Sequence, residues 1–87
     1  MKNLPSMRIS FTDKAIKQYG RLPKNLQNKA DKQFDYLISD IRHPSLDIKN
    51  YQGFDDLWQG RIDKSYRFYF HIVNPEYIII SVINHPK

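Results

Sequence analysis

The feature that most restricts how this 87-residue chain can fold is the alternation in its final third, LWQGRIDKSYRFYFHIVNPEYIIISVINHPK, from Leu57 to Lys87. Trp58, Gly60 and Ile62 share one parity, and Gln59, Arg61 and Asp63 the other. Beyond Lys64-Ser65, the residues Tyr66, Phe68, Phe70 and Ile72 alternate with Arg67, Tyr69 and His71. Successive side chains of a strand point to opposite faces, so each run has an apolar face and a polar one. The stretch from Glu76 to Asn84 is apolar on both parities, which suits a strand covered on both sides or central in its sheet. The segment therefore reads as three consecutive strands with two tight connections.

Burial argues for a register. Asn74-Pro75-Glu76 is a turn signal, with proline fixing φ. A three-residue connection pairs Ile72 with Ile78, Phe70 with Ile80 and Phe68 with Val82, and puts all six on one face. A slip of one residue would turn half of them to solvent. The same register sets Tyr69 opposite Ser81 and Arg67 opposite Ile83, with His85 one diagonal step beyond. A connection through Lys64-Ser65-Tyr66 pairs Arg61 with Tyr69 and Gln59 with His71. One sheet face then gathers Gln59, Arg61, Arg67, Tyr69, His71, Ser81 and His85, and it is basic, aromatic and titratable.

Upstream, Met7, Ile9 and Phe11 alternate as a first strand. Thr12 offers an N-cap, with Asp13 at the positive end of a helix that carries Ala15, Ile16 and Tyr19 and stops at Gly20. Leu22-Pro23-Lys24 opens a second helix, since proline is tolerated in a first turn. Its stripe of Leu26, Ala30, Phe34, Leu37, Ile38 and Ile41 has helical spacing. His43-Pro44 ends it, because a residue before proline avoids the helical region, and His43 is placed to satisfy the last helical carbonyls. Ser45 to Asp56 reads as a loop carrying Lys49, Tyr51 and Gly53. Strand, helix, helix and three strands define an α+β fold: one domain spanning 1–87, with a small antiparallel sheet packed on a two-helix hairpin.

Charge narrows the partners. Fourteen Lys and Arg against nine Asp and Glu leave +5, which favours a polyanion or an acidic protein. The absence of cysteine fits a reducing compartment. No apolar run approaches the ~20 residues that span a bilayer, and no cationic-plus-apolar leader opens the chain. A soluble, cytoplasmic protein that engages no membrane is expected. His43, His71 and His85 include no closely spaced ligand pair, so no metal site is expected. Three glycines form no phosphate loop, and no serine sits in a nucleophile elbow.

The polar sheet face remains. Metal-free RNA cleavage has the 2′-hydroxyl attack the adjacent phosphate. The protein supplies positive charge for the developing phosphorane, a proton acceptor for the hydroxyl and a donor for the leaving oxygen. Arginine keeps its charge and pairs bidentately with phosphate oxygens, histidine titrates near neutrality, and tyrosine stacks on unpaired bases. Arg61, Arg67, His85 and Tyr69 meet these needs. The competing structural roles are a hairpin ion pair of Arg67 with Asp63, and simple cover of the sheet by Tyr69 and His71.

Read as a whole, the chain resembles the RelE/ParE superfamily of toxins from toxin–antitoxin modules. The strand–helix–helix opening, His43-Pro44, Leu57-Trp58-Gln59-Gly60-Arg61-Ile62, Tyr66-Arg67-Phe68-Tyr69-Phe70 and Asn84-His85-Pro86 carry the resemblance. It implies a cognate antitoxin as partner, and one of two targets. RelE-like members cut mRNA in the ribosomal A site, as metal- and cofactor-free endoribonucleases. ParE-like members inhibit DNA gyrase. A non-toxic member that only binds its antitoxin is a third outcome. Arg67 matches the family arginine at the scissile phosphate, and Arg61 a basic residue on the preceding strand. His85 matches the late acid/base position. Lys49 matches a loop lysine that some members carry, and Gln59 stands where a RelE-like member has a further lysine. Tyr69, His71 and Lys87 complete the substrate-binding set. Many nucleases of the family place a tyrosine just after the late histidine or arginine. None follows His85 in this sequence, so either Tyr69 or His71 takes the stacking role or the activity is weaker or different.

Overall fold

A computed structural model describes residues 6–51 and 56–85. Strand β1 (Arg8–Phe11) leads into helices α1 (Asp13–Gly20) and α2 (Lys24–Ser39). A short 3-10 helix (Pro44–Leu46) and the two-residue β2 (Lys49–Asn50) precede β3 (Trp58–Arg61), β4 (Tyr66–Val73) and β5 (Glu76–Asn84). The five strands form one sheet in the order β1-β5-β4-β3-β2. β1 runs parallel to β5 and every other pairing is antiparallel. The expected α+β fold is present, with the parallel β1 and the added β2 as corrections to a purely antiparallel sheet. The two helices carry the chain from β1 at one edge of the sheet to β2 and β3 at the other, and the β3–β4–β5 meander returns it to lie beside β1. β5, apolar on both parities, lies between β1 and β4.

Thr12 caps α1 as its residue type predicts, accepting the Ala15 N–H at 3.1 Å. α2 stops at Ser39, short of the expected Ile41, and the Asp40 N–H bonds the Tyr36 carbonyl. His43 does not cap α2. Its Nδ1 accepts the Ser45 N–H at the head of the 3-10 helix, and its ring stacks on Tyr36 at 3.7 Å. The segment expected as plain loop thus holds an element that buries Leu46 completely. Gly53 lies outside the described residues.

The core lies between the helices and one sheet face. Leu26, Ala30, Phe34 and Leu37 of α2 pack with Phe68, Phe70, Tyr77, Ile79 and Val82 of β4 and β5. Phe34 meets Phe11 and Phe68 edge-on, at 5.4 and 5.2 Å. Trp58 packs against this cluster, as expected. Ile38, assigned to the core stripe, is instead exposed.

Both hairpin registers differ from expectation. The β4–β5 connection is the two-residue turn Asn74-Pro75, through a cis peptide bond, so Val73 pairs Glu76, Ile72 pairs Tyr77 and Phe70 pairs Ile79. A bulge then restores the expected pairs Tyr69–Ser81, Phe68–Val82 and Arg67–Ile83. Near the turn, Tyr77 and Ile79 consequently enter the core in place of Ile78 and Ile80. At the β3–β4 hairpin the Asp63 carboxylate accepts the N–H of both Ser65 and Tyr66 at 2.8 Å. That holds the turn at 63–65, and Arg61 pairs Arg67 while Gln59 pairs Tyr69. The shift is two residues, so every side chain keeps its expected face.

Gly60 faces Phe68 across this ladder. A Cβ at position 60 would lie 2.2 Å from Cζ of the fully buried Phe68 ring. Gly60→Ala is therefore expected to destabilise the protein by about 1–3 kcal/mol, the usual range for overpacking a filled core. Urea denaturation measures this, and unchanged stability would show that the ring can retreat.

Candidate RNA-binding and catalytic face

The face opposite the core presents two rows of side chains across the strands. One runs Lys49, Gln59, Tyr69 and Ser81; the other runs Arg61, Arg67 and Ile83. In the first, the Tyr69 hydroxyl donates to Gln59 Oε1 at 3.0 Å, and the Tyr51 ring meets Tyr69 edge-on at 5.5 Å. Burial raises the Tyr69 phenol above its ordinary value and Tyr51 adds to this, while Arg67 pulls the other way. Tyr69 therefore stays a neutral donor and stacking surface at physiological pH. Lys49 pairs with Asp47 at 3.6 Å on the outer strand.

In the second row two arginines stand directly opposite each other. Like charges in that position repel, by roughly 0.2–1 kcal/mol, so the pairing favours an anion between or beside them. Arg67 does not form the expected side-chain pair with Asp63. Its Nη1 donates instead to the backbone carbonyls of Asp63 and Tyr66. Nε and Nη2 make no hydrogen bond among the described residues, and they are the edge of the guanidinium that can make a bidentate contact.

The Asp63 carboxylate serves the turn and meets Lys29 of α2 at 3.9 Å. Burial acts to raise its pKa, but the Tyr66 and Ser65 N–H groups together with Lys29 and Arg67 outweigh this and hold it below the usual carboxylate range. A depressed folded pKa gives stability that is complete above the unfolded value and is lost as pH falls through the folded one. Thermal midpoints are expected to drop as pH falls through and below the ordinary carboxylate range, with part of the drop removed in Asp63→Asn. Identical acid profiles for the two proteins would contradict this assignment.

From its place one diagonal step past Arg67 and Ile83, His85 would be expected to lie beyond the last hydrogen bond of the ladder, and in this it departs from expectation. Its N–H bonds the Ser65 carbonyl at 2.6 Å, so the backbone is tied to the β3–β4 turn beside Arg67 rather than lying beyond the last hydrogen bond. The side chain lines a concavity of about 680 Å³ with Tyr51, Tyr69, Ile80, Ser81 and Ile83. Ile80 is the unpaired residue of the bulge, and bulges commonly redirect a side chain toward a site. His71 shares the face but lies opposite Ile78 rather than Gln59. Its Nδ1 is 2.6 Å from the Asp56 carbonyl, away from the arginines. Lys87 lies outside the described residues.

The fold thus gathers Arg61, Arg67, Tyr69, Gln59, Lys49 and His85, and leaves His71 apart. Tyr51, read from the sequence only as part of a loop, and Ile80, expected on the core face, also line the concavity. Tyr51 sits two residues from Lys49 in a segment that offers no periodicity, and Ile80 is placed by a bulge. Among the described residues no His, Asp or Glu cluster could hold a metal ion, and no helix is long and apolar enough to cross a membrane.

This architecture is that of the RelE, YoeB and ParE toxin structures. The YoeB/ParE toxin from Agrobacterium tumefaciens superposes with a TM-score of 0.78 at 15% identity, covering 92% of this chain and 100% of that one. The toxin–antitoxin complex DinJ-YafQ of E. coli gives 0.77 at 12% identity, over 92% and 93%. The archaeal RelE-RelB complex from Pyrococcus horikoshii gives 0.75 at 18% identity, over 91% and 94%. The likeness is one of fold. No protein-family model matches the sequence, and no curated protein matches it.

Proposed function

We propose that the protein is the toxin of a toxin–antitoxin pair, a single-domain cytoplasmic endoribonuclease that cleaves mRNA on the ribosome and is neutralised by a cognate antitoxin. The observation that carries this reading is the directly opposed Arg61–Arg67 pair beside His85 and the tyrosine-lined concavity. The two guanidinium groups neutralise the scissile phosphate, and Arg67, already held by two carbonyls, supplies fixed donors as charge develops. His85 exchanges the proton of the 2′-hydroxyl or of the leaving oxygen. Tyr69, oriented by Gln59, stacks on an unpaired base, and Lys49 and Lys87 draw the RNA in. The nucleophile is the RNA's own hydroxyl, so attack needs no metal-bound water, and in this reading the arginines and His85 take the roles a metal would otherwise fill.

The solved complexes of this fold pair a toxin with an antitoxin, which supports the same kind of partner here. An acidic antitoxin segment is expected to bind with an affinity that falls as salt is added, because exposed charge pairs are screened. Isothermal titration across salt concentrations measures it, and salt-insensitive binding would count against a charge-driven interface. Function is tested by induced expression, mapping mRNA 5′ ends alongside a gyrase supercoiling assay. Codon-phased cuts with normal supercoiling support the nuclease. Growth arrest with intact mRNA and inhibited gyrase would replace it with the ParE-like reading.

A further inference from the structure

Gln33 is polar in the middle of the buried stripe of α2 and only 6% exposed. Its side-chain amide is fully used: Nε2 donates to the carbonyls of Arg61 at 2.8 Å and Ser45 at 3.1 Å, and Oε1 accepts from Ser45 Oγ at 3.3 Å. The bond to Arg61 has a topological cause. Among the described residues, β3 is paired on its outer side only at Trp58 and Gln59, because β2 is two residues long. The ladder to β4 uses the neighbouring Ile62 N–H, so the Arg61 carbonyl faces outward, where no strand continues. The Gln33 amide takes the place of that missing strand.

One helical turn earlier on the same face, Lys29 reaches the Asp63 carboxylate at 3.9 Å. Asp63 in turn organises the turn whose carbonyls hold Arg67. Two residues of α2, four apart, therefore meet Arg61, at the end of β3, and Asp63, at the start of the turn that leads to Arg67. Repulsion between like charges on the directly paired Arg61 and Arg67 acts to splay that end of the hairpin, where β2 gives no support.

We propose that Gln33, with Lys29, is a positioning residue for the site: the two fix the backbone beneath Arg61 and Arg67 so that both guanidinium groups converge on one phosphate. Neither side chain touches RNA. The inference rests on the reading of the arginine pair as the phosphate site.

Gln33→Met keeps length and approximate volume but removes both donors. Single-turnover cleavage on mRNA-programmed ribosomes is expected to slow about 10- to 100-fold, as displacement of a reacting group does, with the half-saturating ribosome concentration little changed. In an Arg61→Ala background the same substitution should cost less than about twofold, because coupled positions lose their effect once a partner is gone. Equal losses in the two backgrounds would mean that Gln33 only stabilises the fold, and would overturn the proposal.

A second measurement does not depend on activity. By NMR, the Arg61 side-chain Nε–H order parameter should fall in Gln33→Met, and that of Arg67 in Lys29→Met, while Arg8 is unchanged in both. Unaltered order at Arg61 and Arg67 would also overturn it. If the parent protein cleaves nothing, the nuclease reading fails alone, and the positioning role is decided by this NMR result. Lys29 is more than half exposed, so its variant remains folded and informative should Gln33→Met not be.

Discussion

His85→Gln is expected to slow mRNA cleavage by about 10²–10⁴, the contribution of one positioned general acid or base, with ribosome binding nearly unchanged. Glutamine still donates and accepts hydrogen bonds but does not exchange a proton near neutrality. The backbone bond from His85 to Ser65 survives the substitution, so the tail stays beside the arginines and thermal melting should barely move. Removing Pro86 and Lys87 is the companion variant, and it should cost far less, since it takes away one charge from the approach of RNA. Equal, mild losses in the two would reduce the tail to a source of charge. Proton transfer would then have to be sought at Lys49 or at His71.

Arg67→Ala is expected to lower the cleavage rate by about 10²–10³, or 2.7–4 kcal/mol, as loss of one preorganised donor at a developing charge does. Arg67→Lys should recover only part of this, because lysine keeps the charge without the planar fork. The structure adds a condition to this test. Arg67 also holds the Asp63 and Tyr66 carbonyls, so the alanine variant loosens the β3–β4 turn. Melting curves must accompany the rates. A folded Arg67→Ala protein that still stops growth would mean that the arginine serves the turn and not a phosphate.

The faces of the sheet were legible in the sequence because a period of two survives errors of register. Arg61 was expected opposite Tyr69 and is opposite Arg67, yet both remain on the open face. The exact partners were not legible, since they depend on where each turn begins. Asp63 decides one turn by accepting two backbone N–H groups with its side chain. A two-residue turn, followed by a bulge at Ile80, decides the other. Parallel pairing of β1 with β5 was also hidden, because a strand's own alternation does not tell its neighbour's direction.

Parity alone places Arg61, Arg67, Tyr69 and Gln59 on the open face, and His85 follows from its place one step past the ladder. His71 has the right parity but the wrong end of the strand, where Asp56 takes its ring nitrogen. Gln33 left a signal that could have been used: a polar residue inside the stripe of Leu26, Ala30, Phe34 and Leu37 is buried only with its hydrogen bonds met.

The most direct test of the central proposal is single-turnover incubation of the purified protein with ribosomes carrying a defined mRNA, with the same mRNA free in solution as control. The account predicts cleavage of the ribosome-bound message at a fixed position in the A-site codon, much slower cleavage of the free message, and loss of both in an Arg61→Ala, Arg67→Ala double variant that melts like a folded protein. Cleavage unaffected by removal of both arginines, or no cleavage in the presence of ribosomes, would contradict it.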